Sequence, residues 1–319
     1  GAGDDKLTAN LQSGIGSIVL GVDAGTGNDV INMRTVIDPN VRNPSTAPGD
    51  RSTLLYANLG DGNDTFNGDL QFPPDPCRLV VMGGAGTDSI HSLIGLLSNA
   101  TPAGDVRGSI EAALNGGDGN DAIESVIRDA NLYGRVGIDL QGGAGNDRIE
   151  QTLDHVTVNG GLDVSASGGL GDDSMKLACS STGGTSGTTE PNMIASSPVR
   201  FNFRGDEGND LMLGLLQPCI LPAGSLDLIF EGGAGNDLFQ LMLDLEAGDL
   251  NPPSERDPNI PLAGPIRTTV LGGDGDDRLY MTVQNLTSSE SPFKAVLDGG
   301  AGVDVAYATP GIDLSFWMN

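Results

Sequence analysis

Eleven aspartates recur along this 319-residue chain, each closing a six-residue motif, G-G-x-G-x-D or a near variant. They are Asp5, Asp29, Asp64, Asp88, Asp121, Asp147, Asp173, Asp210, Asp237, Asp277 and Asp304. A carboxylate ending a glycine-rich turn, with several backbone carbonyls facing one way, is chemistry suited to a hard cation. Ca2+ takes roughly six to eight oxygen ligands from such groups. One motif of this kind would mean little. Eleven at a recurring spacing are the mark of a stacked-repeat protein.

The elements that must position these aspartates are legible from the alignment. The glycine two places before the aspartate is present every time, from Gly3 to Gly302. The glycine four places before it is missing only at Asp206, so the repeat containing Asp206 and Glu207 is the least regular site. The residue just before the aspartate is Asn or Asp except at Thr87 and Val303. Gly, Asn and Asp tolerate positive φ, which predicts tight turns. Two places after the aspartate comes a large apolar residue: Leu7, Ile31, Phe66, Ile90, Ile123, Ile149, Met175, Met212, Phe239 or Leu279, with Ala306 the weak member. Apolar residues then continue at every second position, as in Phe239, Leu241, Leu243 and Leu245. That period predicts strands with one buried face.

Each unit therefore reads as turn, strand, variable connection and strand. The longer repeats carry inserts at 38–51, 98–107, 180–198 and 247–265, predicted to project from the edge opposite the glycine turns. No proline falls inside a motif, as a stacked hydrogen-bond ladder requires. The expected fold is all-β: a right-handed parallel β-roll or β-solenoid of about eleven coils. It forms one domain over 1–319, with glycine turns along one edge. Handedness rests on the crossover rule alone. The chain opens inside a motif and is read as a piece of a longer protein.

The full pattern, G-G-x-G-x-D-x-U with U apolar, resembles the RTX (hemolysin-type) calcium-binding repeat family. The match spans essentially the whole chain. The resemblance implies a parallel β-roll with Ca2+ between stacked turns, held by the motif aspartates and by turn carbonyls. The first glycines, Gly83, Gly116, Gly142, Gly168, Gly232, Gly272 and Gly299, would supply some of those carbonyls. Family arrays place a motif every nine residues, so both edges carry turns. Here one motif falls in each longer unit, which implies calcium on one edge only. The style also resembles bacterial surface proteins.

Composition agrees with that reading. Sixteen Lys and Arg oppose 43 Asp and Glu, giving a net charge of −27, which argues against nucleic-acid binding. Eleven stacked turns leave ten gaps, and about ten Ca2+ are expected. A column of aspartates is repulsive unless a cation intervenes. Millimolar external calcium favours a secreted or cell-surface setting, with calcium rigidifying the rod. The alternatives are an adhesin or a glycan- or protein-recognition module using the proline-rich insert face, or a subunit that stacks end to end into a filament or surface layer. No enzyme is expected: no protease, esterase or P-loop signature occurs, and the chain holds only His91 and His155. Cys179 and Cys219 fall in consecutive units and could pair on export; Cys77 would be left over. No stretch suits a membrane span. Trp317 is expected to cap an end of the stack.

Overall fold

The fold was obtained as a computed structural model describing residues 1–13, 17–37, 52–71, 76–95, 104–179, 192–221, 223–245, 264–284, 293–309 and 314–317. Every regular element among them is a β-strand. Apart from two short strands, Gly104–Val106 and Met193–Ala195, successive strands alternate between two sheets of thirteen and eleven strands, and all pairings are parallel. Cys77–Ala85, for example, lies in the eleven-stranded sheet; the chain turns through the motif, and Ser89–Gly95 enters the other sheet. The arrangement is that of a parallel β-solenoid.

The two-residue period does what it predicts. Strands before the turns alternate buried and outward positions, as in Leu162–Leu170 and Val199–Glu207. Nine of the ten large residues after the aspartates are in the core, from Ile31 to Leu279; Leu7, in the outermost pair of strands, is exposed. The core is a thin apolar sandwich of stacked columns, with Phe201, Phe203, Phe230 and Phe239 filling one part of it. In the eleven-stranded sheet registers are unbroken from repeat to repeat: Gly84 pairs with Gly117, Gly117 with Gly143 and Gly143 with Gly169. In the thirteen-stranded sheet the register shifts once, between Leu216 and Cys219. A one-residue slip would move every core side chain to solvent.

Glycine is required at two turn positions. All eleven glycines two before the aspartate have positive φ, and so do nine of those four before it. A side chain there would run into the preceding repeat: a Cβ on Gly86 would lie 1.7 Å from the Gly62 carbonyl oxygen. Asp206 takes the second position at φ 73°, where its glycine counterparts lie at 92–116°. Its carboxylate is hydrogen-bonded by the Ser167 hydroxyl. Left-handed conformations of non-glycine residues cost about 1–3 kcal/mol. Asp206→Gly should therefore raise stability by about 1 kcal/mol after loss of that hydrogen bond. Chemical denaturation of the variant checks it; a destabilised variant would mean that the Ser167 contact outweighs the strain.

Two insert boundaries need correction. Gly104–Val106 and Met193–Ala195, inside the expected inserts 98–107 and 180–198, are short strands that rejoin the thirteen-stranded sheet. Alternate apolar residues Val106, Met193 and Ala195 are buried there, so the detours end by re-entering the core. Insert 38–51 and most of 247–265 lie outside the described residues. Cys77 and Cys179 are buried, and burial pushes the Cys77 thiol up to about 12, which makes it a poor nucleophile. The side chains of Cys219 and Trp317, and with them the expected pairing and cap, lie outside the described residues. The backbone of Leu314–Trp317 does pair with Ala295–Asp298 at one end of its sheet.

Candidate cation-binding column

The turns bring the motif aspartates into one column. In each of ten links, the carboxylate Oδ1 of one motif aspartate accepts the backbone N–H of the preceding motif aspartate, at 2.6–3.0 Å. Asp5 donates to Asp29, Asp29 to Asp64, and so on to Asp304. A hydrogen bond to a charged acceptor contributes roughly 1.5–3 kcal/mol, so the aspartates hold the stack together as well as facing one another. Sequence reasoning missed this role.

A second ladder runs beside it in the opposite sense. The residue before each aspartate donates its backbone N–H to the side-chain Oδ1 of its counterpart in the preceding repeat, at 2.8–3.1 Å. This explains the Asn or Asp at that position and corrects the expectation about φ. None of these residues has positive φ; among the described non-glycine residues only Asp129, His155 and Asp206 do. Thr87 has no amide or carboxylate oxygen to offer, and the ladder skips the Thr87–Asn120 step.

The other carboxylate oxygen has no such partner. Oδ2 of Asp29, Asp64, Asp88, Asp121, Asp147, Asp173, Asp210, Asp237, Asp277 and Asp304 is buried without a hydrogen bond. A buried, unpaired carboxylate oxygen is costly. In eight of the ten, from Asp88 to Asp304, it faces the first glycine of its own motif. A Cβ on Gly142 would lie 2.4 Å from Asp147 Oδ2 and 2.5 Å from the Gly168 carbonyl oxygen of the next repeat. Two acceptor oxygens thus converge on a bare Cα with no donor between them. The same pair flanks Gly83, Gly116, Gly168, Gly232 and Gly272. It also flanks Gly205, absent from the expected set because the irregular Asp206 repeat obscured it. Gly299 meets Asp304 Oδ2 alone.

The repeats of Asp29 and Asp64 differ: Ala24 and Leu59, both buried, hold the first-glycine position. Asp5 is exposed. Among the described residues no three His, Cys, Asp or Glu side chains converge on one point. A cation here would be held by one or two carboxylates and, for the rest, by backbone carbonyls. That all-oxygen donor set, with its orphaned anionic oxygen and glycine cradle, fits Ca2+.

Burial raises the affinity of these carboxylates for protons. It pushes Asp88 and Asp147 up to about 6 and Asp173, Asp210 and Asp237 up to about 7. The N–H bond from the preceding aspartate pulls each one back, and neighbouring carboxylates push each one further up. Asp64, Asp121 and Asp277 are raised for the same first reason. Because the folded values exceed the unfolded one, the cation-free protein gains stability from these groups at acid pH. It loses that stability as pH rises from about 4 through about 7. Melting of chelator-treated protein should fall across that window, and melting of calcium-loaded protein should not. A cation-free protein that gains stability over the same range would contradict the burial of these groups.

The histidines stand apart from the column. His91 Nδ1 lies 3.1 Å from Glu124, and His155 Nδ1 lies 2.9 Å from Asp154 and 3.8 Å from Asp129. No helix of the described residues is long and apolar enough to cross a membrane. Compared with known proteins, the chain matches no family model, no curated protein and no solved structure.

Proposed function

We propose that the chain is a calcium-binding structural module of a secreted or cell-surface protein, a right-handed solenoid of about eleven coils made rigid by calcium along one edge. The observation that carries the reading is the row of buried Oδ2 atoms facing glycine cradles. Seven of them are anionic oxygens with a carbonyl oxygen beside them and nothing of opposite charge.

Seven cradles have both the aspartate oxygen and the next repeat's carbonyl, from Gly83 to Gly272. The ten gaps counted from the motifs thus become seven fully lined positions, because Ala24 and Leu59 occupy two first-glycine places and Gly299 lacks a second oxygen. When bound, Ca2+ would neutralise the unpaired carboxylates, a charge stabilisation that neither ladder supplies. The chain's own part is to aim Oδ2 inward through the Oδ1–N–H bond and to leave room by placing glycine opposite.

The mechanism is linkage. An ion that binds the folded stack and not the unfolded chain stabilises it by about 2.7 kcal/mol per site at a hundred times Kd. Isothermal titration of calcium into chelator-treated protein tests the reading, with magnesium as comparison. Mg2+ demands near-octahedral geometry and dehydrates reluctantly, so calcium should bind at least tenfold tighter. Equal affinity for the two ions would argue against a built site. End-to-end assembly and recognition through the insert face remain alternative proposals, to be read from sedimentation with and without calcium and from trimming of the loops.

A further inference from the structure

The outer face of the eleven-stranded sheet carries a groove of about 480 Å³ away from the glycine edge. Strand register defines it. One row across five strands reads Arg78, Glu111, Gly137, Asp163 and Arg200, each paired with the next in the ladder. The row beside it reads Ala113, Asp139, Ser165 and Asn202. Gly137 and Ala113 make the depression, because one has no side chain and the other a single methyl. Only the Ile110 carbonyl, 4.0 Å away, would meet a Cβ on Gly137. The glycine is therefore not required by backbone packing or by φ.

The charged side chains of the lining nearly balance. Arg135 neutralises Asp163 through two N–H donors, at 2.6 and 3.1 Å. Arg78 lies 3.9 Å from Glu111. Ser165 donates to Asp139 at 2.9 Å. Two groups are left over: Arg200 makes no ion pair with another described residue, and Asn202 Oδ1 is buried without a hydrogen bond. The floor offers carboxylate acceptors, and one end offers an unused guanidinium. Arg78 and Arg200 are four strand spacings apart, roughly 19 Å at about 4.8 Å each.

We propose that this groove binds a neutral oligosaccharide lying across the strands, about one sugar unit to each strand spacing and four units in all. Hydroxyls both donate and accept, which matches carboxylates interleaved with arginine, serine and asparagine. Polyanions are disfavoured by the net charge of −27 and by the three acids of the floor. An extended peptide is disfavoured because the groove has no apolar anchor pocket and its strands are already paired on both sides, so strand addition is closed to it. The site shares no residue with the cation column and does not depend on the calcium reading.

The test uses calorimetry or NMR titration of the calcium-equilibrated protein with three neutral tetrasaccharides: β1,4-linked glucose, β1,4-linked N-acetylglucosamine and α1,4-linked glucose. At least one should bind with Kd in the micromolar to millimolar range. G137R, which fills the depression from an open position, should abolish binding, and R200A should weaken it at least tenfold. Both variants should keep the parent's melting temperature. No binding by any of the three sugars overturns the proposal, and so does binding that survives G137R with the fold intact.

Discussion

Replacing Asp147 by asparagine should change the sign of its effect on stability when calcium is added. Without calcium at neutral pH, Asp147 holds a buried carboxylate whose Oδ2 faces the Gly168 carbonyl oxygen across Gly142. Asparagine keeps the Oδ1 that accepts the Asp121 N–H and puts an N–H donor in place of the unpaired oxygen. The cation-free variant should be more stable than the parent by about 1–3 kcal/mol, the cost of the unsatisfied group it removes. With saturating calcium the order should reverse. The cradle at Gly142 loses its anionic ligand, and its neighbours at Gly116 and Gly168 lose a nearby charge, so one or two fewer ions should bind. Asp147→Ala separates the two roles: it leaves the Asp121 N–H without an acceptor and should destabilise the protein with or without calcium. Thermal melts of the three proteins in chelator and in calcium read this directly. A D147N variant that ranks the same way against the parent in both conditions would show that Oδ2 takes no part in cation binding.

The second large effect is expected at Gly119. Its φ is +138°, and a Cβ there would lie 1.6 Å from the Gly86 carbonyl oxygen of the preceding repeat. No rotamer relieves that contact, because both partners are backbone. Relief needs the two turns to move apart, which would break the Asp88–Asp121 link of the ladder. Gly119→Ala should cost more than about 4 kcal/mol, in the range that marks strain at a special backbone position. Gly137→Ala is the control. It has open space and no positive φ, and it should be neutral or stabilising by about 0.4–1 kcal/mol through the unfolded chain. Urea denaturation of both variants compares them. Equal midpoints would mean that the turns are far looser than the ladder geometry requires.

Much of the fold was legible because the motif repeats and the period-two strands agree. The glycines two before the aspartate forced positive φ, and the apolar residues two after it forced a buried face. Both inferences need only local chemistry. The role of Asn28, Asn63, Asn146, Asn209 and Asn236 was not legible, since their side chains bond to the next repeat and not to their own turn. Asn tolerates positive φ and also accepts a neighbour's N–H, and sequence alone does not choose between those properties. The Asp ladder was hidden for the same reason: identical residues in register read as repulsion until the backbone N–H between them is placed. Gly205 was passed over because Asp206 broke the motif beside it, although the first-glycine position was intact. The groove at Gly137 left no trace in the motif, because outward positions vary freely and only strand register sets Arg78, Gly137 and Arg200 in one row.

The central claim is that the buried Oδ2 column is a cation site, and counting ions tests it most directly. Chelator-treated protein would be titrated with calcium while bound ions and melting temperature are followed on the same sample. The account predicts about seven ions per chain, one for each cradle lined by an aspartate oxygen and a neighbouring carbonyl, with melting temperature rising as they fill. A chain that binds one ion or none, and melts at the same temperature throughout the titration, would contradict it.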